Sequence, residues 1–125
     1  MIFKKWAICR ADLDPVIGSE QGKSRPVLII SEDQINELLN IVNILPITSR
    51  KSGRLIYPNE VLIAAGQYGL INESVILCHQ IRTVDKKRLT KTYGQINDSK
   101  LQNDIVEALC FQLGIGNQGG EKERN

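Results

Sequence analysis

The sequence predicts a mainly β domain with two helices, a small and strongly curved antiparallel sheet or partial barrel capped by a C-terminal helix. Three observations carry this: short β-branched apolar runs between turn residues, one short helical signature between two of them, and a single long helical pattern near the end.

Trp6 to Leu13 has strand character interrupted by Arg10 and Asp12. An eleven-residue loop follows, Asp14 to Ser24, with glycines at 18 and 22. Structureless connections of that length are uncommon in compact domains and are usually functional or mobile. Arg25-Pro26-Val27-Leu28-Ile29-Ile30 reads as a strand, with Pro26 at its entry where a missing N–H is tolerated. Ser31-Glu32-Asp33-Gln34 has the form of a capping box, and Ile35, Leu38 and Leu39 share one helical face. A short amphipathic helix ending at Asn40 is therefore expected. Ile41 to Thr48 is again β-branched and apolar, and Ser49 to Arg54 is a basic turn containing Arg50, Lys51 and Arg54.

Glu60 to Ala64 reads as a strand and Ala65 to Asn72, with Gly66 and Gly69, as a connection. Ser74 to Thr83 is the strongest strand pattern, read as unbroken over ten residues. After the basic Lys86-Lys87-Arg88 turn and a short segment around Tyr93-Gly94, Asp98 or Ser99 caps the one long helix. Leu101, Ile105, Ala108, Leu109 and Leu113 form its apolar stripe. The charged, Gly-rich tail 116–125 is expected to be disordered, leaving a single domain over 1–115.

Composition narrows the function. The 125 residues are 42% apolar and 24% charged, enough for one core without metal or disulfide staples. Sixteen basic against fourteen acidic side chains leave a net charge of only +2. Bulk electrostatic attraction to nucleic acid is thus excluded, and any such binding must come from local charge. No apolar run approaches the length of a membrane span or a signal peptide, so a cytoplasmic protein is expected. Three cysteines without a CxxC and one histidine, His79, give no disulfide framework and no metal-ligand spacing. No metal or other cofactor is expected. A GxSxG elbow and a Walker loop are also absent from the sequence.

Five motifs then occur in a recognisable order: Leu13-Asp14-Pro15, Gly18-Ser19-Glu20-Gln21-Gly22, Arg25-Pro26-Val27-Leu28, Pro46-Ile47-Thr48-Ser49 and Gln80-Ile81-Arg82-Thr83-Val84-Asp85. Together, over residues from about Asp12 to Leu113, they resemble the MazF/PemK family of toxin endoribonucleases. The resemblance implies an SH3-like barrel, a homodimer, and metal-independent cleavage of single-stranded messenger RNA at short sequences. It also implies neutralisation by an antitoxin whose disordered acidic segment occupies the RNA groove. Arg25 and Thr48 match the catalytic pair of the family. Gly18, Ser19, Glu20, Gln21, Lys23, Ser49, Arg50 and Gln80 are the expected RNA contacts.

The residue types suit that chemistry. Metal-free RNA cleavage uses the neighbouring 2′-hydroxyl as nucleophile, so the protein must stabilise extra charge on the phosphate and manage two protons. A guanidinium offers phosphate a planar fork of donors but is a poor base. Thr48 is read as a donor to the same phosphate, set against the plain alternative of a strand-end threonine. Only six aromatic residues occur, so base recognition is expected to rest on polar groups such as Ser19, Gln21 and Gln80.

Three positions depart from the family pattern. His79 stands where an acidic residue is common. It is either a general acid or base or a packed histidine on the face of Val75, Leu77 and Ile81. Trp6-Ala7 replaces a Gly-Asp pair, which leaves the path of residues 1–8 open, and Lys23 replaces a glycine. The competing reading is a non-enzymatic toxin like the CcdB gyrase poisons, which grips a topoisomerase and needs no Arg/Thr pair.

Overall fold

The computed structural model describes residues 2–116, so the tail predicted over 116–125 lies, beyond its first residue, outside the described residues. The elements are β1 (Ala7–Asp12), β2 (Ser24–Ile29), α1 (Asp33–Leu38), β3 (Ile41–Ser49), β4 (Glu60–Ile63), β5 (Ser74–Leu77), β6 (Arg82–Asp85), β7 (Leu89–Gln95) and α2 (Ser99–Leu113). The strands pair antiparallel in the order β4-β5-β3-β2-β1-β7, and β6 also pairs with β3. This is the curved sheet the sequence predicts.

The curl has a traceable cause in β3. Its first residues pair with β6 (Ile41↔Asp85 to Ile44↔Arg82) and its last with β5 (Ile47↔Ile76 to Ser49↔Ser74). Between these ladders lies Pro46, which has no N–H to donate, so the partner chain is free to leave. It does so through a 3-10 turn, Cys78–Gln80, that packs on α2. The expected unbroken strand over Ser74–Thr83 is therefore two strands separated by a turn.

Two apolar clusters fill the two faces. Ile8, Leu28, Leu45, Ile47, Val61, Ile63, Ile76, Ile96, Ile105 and Ala108 form the core under α2. Ala7, Cys9, Ala11, Leu13, Val27, Ile29, Val42, Ile44, Val84 and Leu89 form the second. Strand alternation along β1 and β2 explains the division: Ile8 and Leu28 point to one face, Cys9, Val27 and Ile29 to the other. Helix α2 is capped at its start by Asp98, which accepts from Lys100 N at 3.1 Å. It ends at Gly114 in the left-handed region (φ 68°).

Other expectations are corrected. No capping box forms at α1. Glu32 is the N-cap residue and makes no side-chain cap bond, its carboxylate taking Lys5 Nζ at 2.6 Å, while the Ser31 hydroxyl donates to Asn36 Oδ1 and accepts from Asn43 N at 3.0 Å. The predicted apolar face is also turned to solvent. Asn36 is the buried residue of α1, while Leu38 is 81% exposed. The segment around Tyr93 is a full strand, β7, whose pairing with β1 shifts register between Ile8 and Cys9 and again between Arg10 and Ala11.

Residues 4–8 are now placed. Trp6 adopts φ 76°, a left-handed conformation that glycine takes without steric cost. It is held there by Trp6 N donating to Ile29 O at 2.8 Å and Ile96 N donating to Trp6 O at 2.9 Å.

The basic turn after β3 is built around a carboxylate. Glu60 is 7% exposed and takes both terminal nitrogens of Arg54, at 3.0 and 2.7 Å, plus the Tyr57 N–H at 3.1 Å. The Arg54 hydrogen bonds hold its carboxyl below the usual carboxylate range, outweighing burial, with smaller help from Tyr57 N and His79. A carboxyl depressed on folding stabilises the fold above its unfolded pKa, and that stabilisation is lost as pH falls through the folded value. Glu60→Gln should therefore lower stability at pH 7 by about 2–3 kcal/mol. It should also flatten the acid limb below pH 4.5, the ordinary carboxyl value. Urea unfolding between pH 3 and 7 checks both, and an unchanged acid limb would contradict the assignment.

Candidate active site

The β2–β3 ladder runs Ile29↔Ile44, Leu28↔Leu45, Val27↔Pro46 and stops. Two residues beyond that last pair stand Arg25 in β2 and Thr48 in β3, both on the face of Val27 and Ile29 by strand alternation. Residues 23 positions apart in the chain thus both follow the same end of the ladder. Both are half-buried. Arg25 donates Nε to Gly22 O at 2.8 Å, which fixes the plane of the guanidinium. Among the described residues no carboxylate lies within ion-pair distance of it.

Thr48 and Ser49 line a cleft of about 450 Å³ at the fork where β3 leaves β2. Its other walls include Arg10, Pro26, Asn72, Ser74, Lys91 and Tyr93. Arg25 does not line this cleft. It stands on the other side of Pro26, against the long loop.

The loop is 13–23 and its fold is fully tied. Arg82 Nη1 donates to Leu13 O at 3.1 Å, and Arg88 Nη1 to Asp12 O and Asp14 O at 3.0 and 2.6 Å. Asp14 Oδ1 accepts Lys23 N at 2.8 Å, and Leu13 N reaches Lys23 O at 2.9 Å, closing the neck. Gln80 spans the outer turn, its amide oxygen accepting from Gln21 N and its nitrogen donating to Ser19 O, each at 3.2 Å. At the tip Glu20 accepts from Ile17 N at 2.9 Å, and Gly18 takes φ 57°. Glu20 and Gln80 therefore shape the loop backbone, and Ser19 remains an exposed polar group on it.

This clasp is not legible in the sequence. Arg82 lay inside a recognised motif and Arg88 in a charged turn, and no local spacing ties either to residues 12–14. The basic patch after β3 is also smaller than expected. Arg50 is committed to Arg54 O, at 3.0 and 2.7 Å, and to Glu73 at 3.3 Å, and Arg54 is paired with Glu60. Lys51 is the exposed cation of that turn.

His79 is exposed within the 3-10 turn, so the packed alternative is overturned. The break in the strand rotates it off the face of Val75 and Leu77. Burial pushes the Cys78 thiol up to about 12 and raises that of Cys9.

A curled sheet capped by a C-terminal helix, with an arginine and a threonine at the end of the β2–β3 ladder beside a clasped polar loop, has the build of the small toxins of type II toxin–antitoxin systems. The chain belongs to the PemK-like, MazF-like toxin family, whose model matches residues 4–113. Endoribonuclease EndoA of Bacillus subtilis (strain 168) is 40% identical over 116 residues, covering 92% of this chain and 97% of its own length. MazF from Deinococcus radiodurans superposes with a TM-score of 0.77 at 25% identity, covering 91% of this chain and 98% of that one. A mycobacterial endoribonuclease solved in complex with its cognate antitoxin shares the fold, with a TM-score of 0.72 at 22% identity over 90% of this chain and 96% of that one. The topoisomerase-binding alternative is not favoured by these matches.

Lys23 has φ 65°, the left-handed region that glycine takes without steric cost, so its side chain stands at a strained position of the neck. Gly22 is bounded more tightly: a Cβ would lie 2.5 Å from Asp14 Oδ1 and 2.8 Å from Val16 Cγ2. Lys23→Gly should stabilise the protein by about 1 kcal/mol by relieving the left-handed conformation. Gly22→Ala should destabilise it by displacing the Asp14 clasp. Thermal unfolding of the two variants checks the pair, and equal effects would contradict this account of the loop neck.

Proposed function

We propose that this endoribonuclease toxin cleaves single-stranded messenger RNA by attack of the 2′-hydroxyl on its own phosphate, without a metal. The products are a 2′,3′-cyclic phosphate and a 5′-hydroxyl. One observation supports the reading: Arg25, with no carboxylate paired to it among the described residues, and Thr48 both stand just past the end of the β2–β3 ladder on the face of Val27 and Ile29.

The roles follow from the groups. Nucleophile and leaving group both belong to the RNA, so the protein contributes charge and position. Arg25, its Nε tied to Gly22 O, turns its terminal nitrogens to the non-bridging oxygens as negative charge builds on phosphorus. Thr48 donates its hydroxyl to the same phosphate. Gly18, Ser19, Gln21, Lys23 and Ser49 contact the strand, and Gln80 and Glu20 hold the loop in the shape that does so. His79, exposed beside Gln80, exchanges a proton with the reacting oxygens.

The assembly is a homodimer in the cytoplasm. Exposed apolar side chains such as Phe111 and Ile115 beside α2 support a buried partner surface. The mycobacterial relative solved with its antitoxin supports neutralisation by a cognate antitoxin. An acidic, disordered segment would compete with RNA for the same cations.

Purified protein incubated with a long RNA in EDTA should cut at a few recurrent sites, and end-mapping should find cyclic phosphates and 5′-hydroxyls. Arg25→Ala and Thr48→Ala should each lower the rate at least 10²-fold, about 3 kcal/mol, with unchanged unfolding midpoints. Wild-type cutting by folded double-alanine protein would overturn the assignment. His79→Gln should shift the pH–rate profile, and an unaltered profile removes His79 from the chemistry.

A further inference from the structure

Arg10 and Lys91 face each other directly in the β1–β7 register. Like charges at opposed positions of an antiparallel pair repel and cost stability. Folded proteins commonly set a carboxylate between such groups. Here, among the described residues, neither cation has one within ion-pair distance.

Both cations lie over the same ring, with Arg10 Cζ and Lys91 Nζ each 5.6 Å from the Tyr93 centroid. Arg10 is further oriented by Nε donating to the Tyr93 hydroxyl and Nη1 donating to Ser24 Oγ at 2.9 Å. The register shifts on either side of Cys9 and Arg10 mark bulges, which re-aim side chains out of the ordinary alternation. The result is two cations on one rung, lining the cleft that also holds Thr48, Ser49 and Asn72.

We propose that Arg10 and Lys91 form a second phosphate subsite, binding the RNA phosphate next to the scissile one in the cleft at the β2–β3 fork. This rests on the nuclease reading above. A bound phosphate turns the repulsion of the Arg10–Lys91 rung into attraction, and it draws the strand across the Thr48 hydroxyl. The second nitrogen of Arg10, Nη2, is the donor that its Tyr93 and Ser24 bonds leave for the anion. Neither residue performs chemistry. Both are positioning residues.

The test uses full-length protein and an RNA carrying a 2′-deoxy sugar at the mapped cleavage site, so that it binds without being cut. Lys91→Gln, at an exposed position, should weaken binding about tenfold. It should also reduce the slope of log affinity against log salt by about 0.7, the loss of one phosphate contact on a single strand. Arg10→Gln should do the same, and Arg10→Lys should recover part of the loss. A single uncharged methylphosphonate beside the scissile linkage should weaken the wild type equally, and Lys91→Gln no further. Wild-type affinity and salt slope in both glutamine variants, with cleavage by the wild type intact, would overturn the subsite. So would a loss confined to an acidic peptide. Failure of the wild type to bind or cut RNA at all would instead remove the nuclease reading, and the subsite with it.

Discussion

The way β3 divides its backbone hydrogen bonds constrains everything else in this molecule. A strand has two edges, and β3 must serve β2 on one and both β5 and β6 on the other. Between Ile44 and Ile47 it advances three residues while the opposing chain advances six, from Ile76 to Arg82. The extra length becomes the 3-10 turn that meets α2 and lifts Gln80 against the long loop. Pro46 makes this cheap, since it offers no N–H for a rung there. The same point ends the β2–β3 ladder. Curl, loop support and the opening of the cleft beside Thr48 are thus consequences of one interruption.

The charge distribution follows a similar logic of commitment. A net charge of +2 conceals a sharp division of labour among the cations. Arg50, Arg54, Arg82 and Arg88 hold carbonyls and carboxylates that shape turns. Arg10, Arg25 and Lys91 have no carboxylate within ion-pair distance among the described residues. Counting basic residues in a turn therefore misleads, because an arginine among carbonyls is a structural donor. What matters for a polyanion is which guanidinium keeps donors to spare.

Much of the fold was legible because hydrophobic alternation and turn residues act locally. The strands of residues 25–30, 41–48 and 60–64, the loop, and the C-terminal helix each sit within a few residues of their expected bounds. The misreadings share a cause, since in each a long-range partner outcompeted a local pattern. Ser31 fits a cap by spacing, but Asn43 and Asn36 claim its hydroxyl. Ile35 and Leu38 have helical spacing, but a six-residue helix at the sheet edge buries Asn36 instead. His79 alternates with apolar residues until the turn rotates it outward. Motif order points to Arg25 and Thr48, yet only the β2–β3 pairing shows that two such distant residues follow the same end of one ladder. Arg10 could not be singled out, since its partners Ser24, Lys91 and Tyr93 are defined by pairing alone.

The proposed chemistry also accounts for where the electrostatic strain is not. Glu60, whose carboxyl is held below its usual range, belongs to an ion pair that braces the turn after β3. The thiol raised to about 12, Cys78, is sealed beneath α2 against Ile105. An enzyme that must generate its own nucleophile commonly buries a titratable group in the site and moves its pKa. An RNA substrate carries its nucleophile on the carbon next to the one that bears the reacting phosphate, so the demand on the protein is geometric. A guanidinium fixed by one backbone carbonyl, an alcohol on the neighbouring strand and a loop pinned at neck and tip meet it. That demand is also why the loop is so heavily tied. With little covalent chemistry assigned to side chains, precision in holding a flexible anion is what remains for the fold to supply.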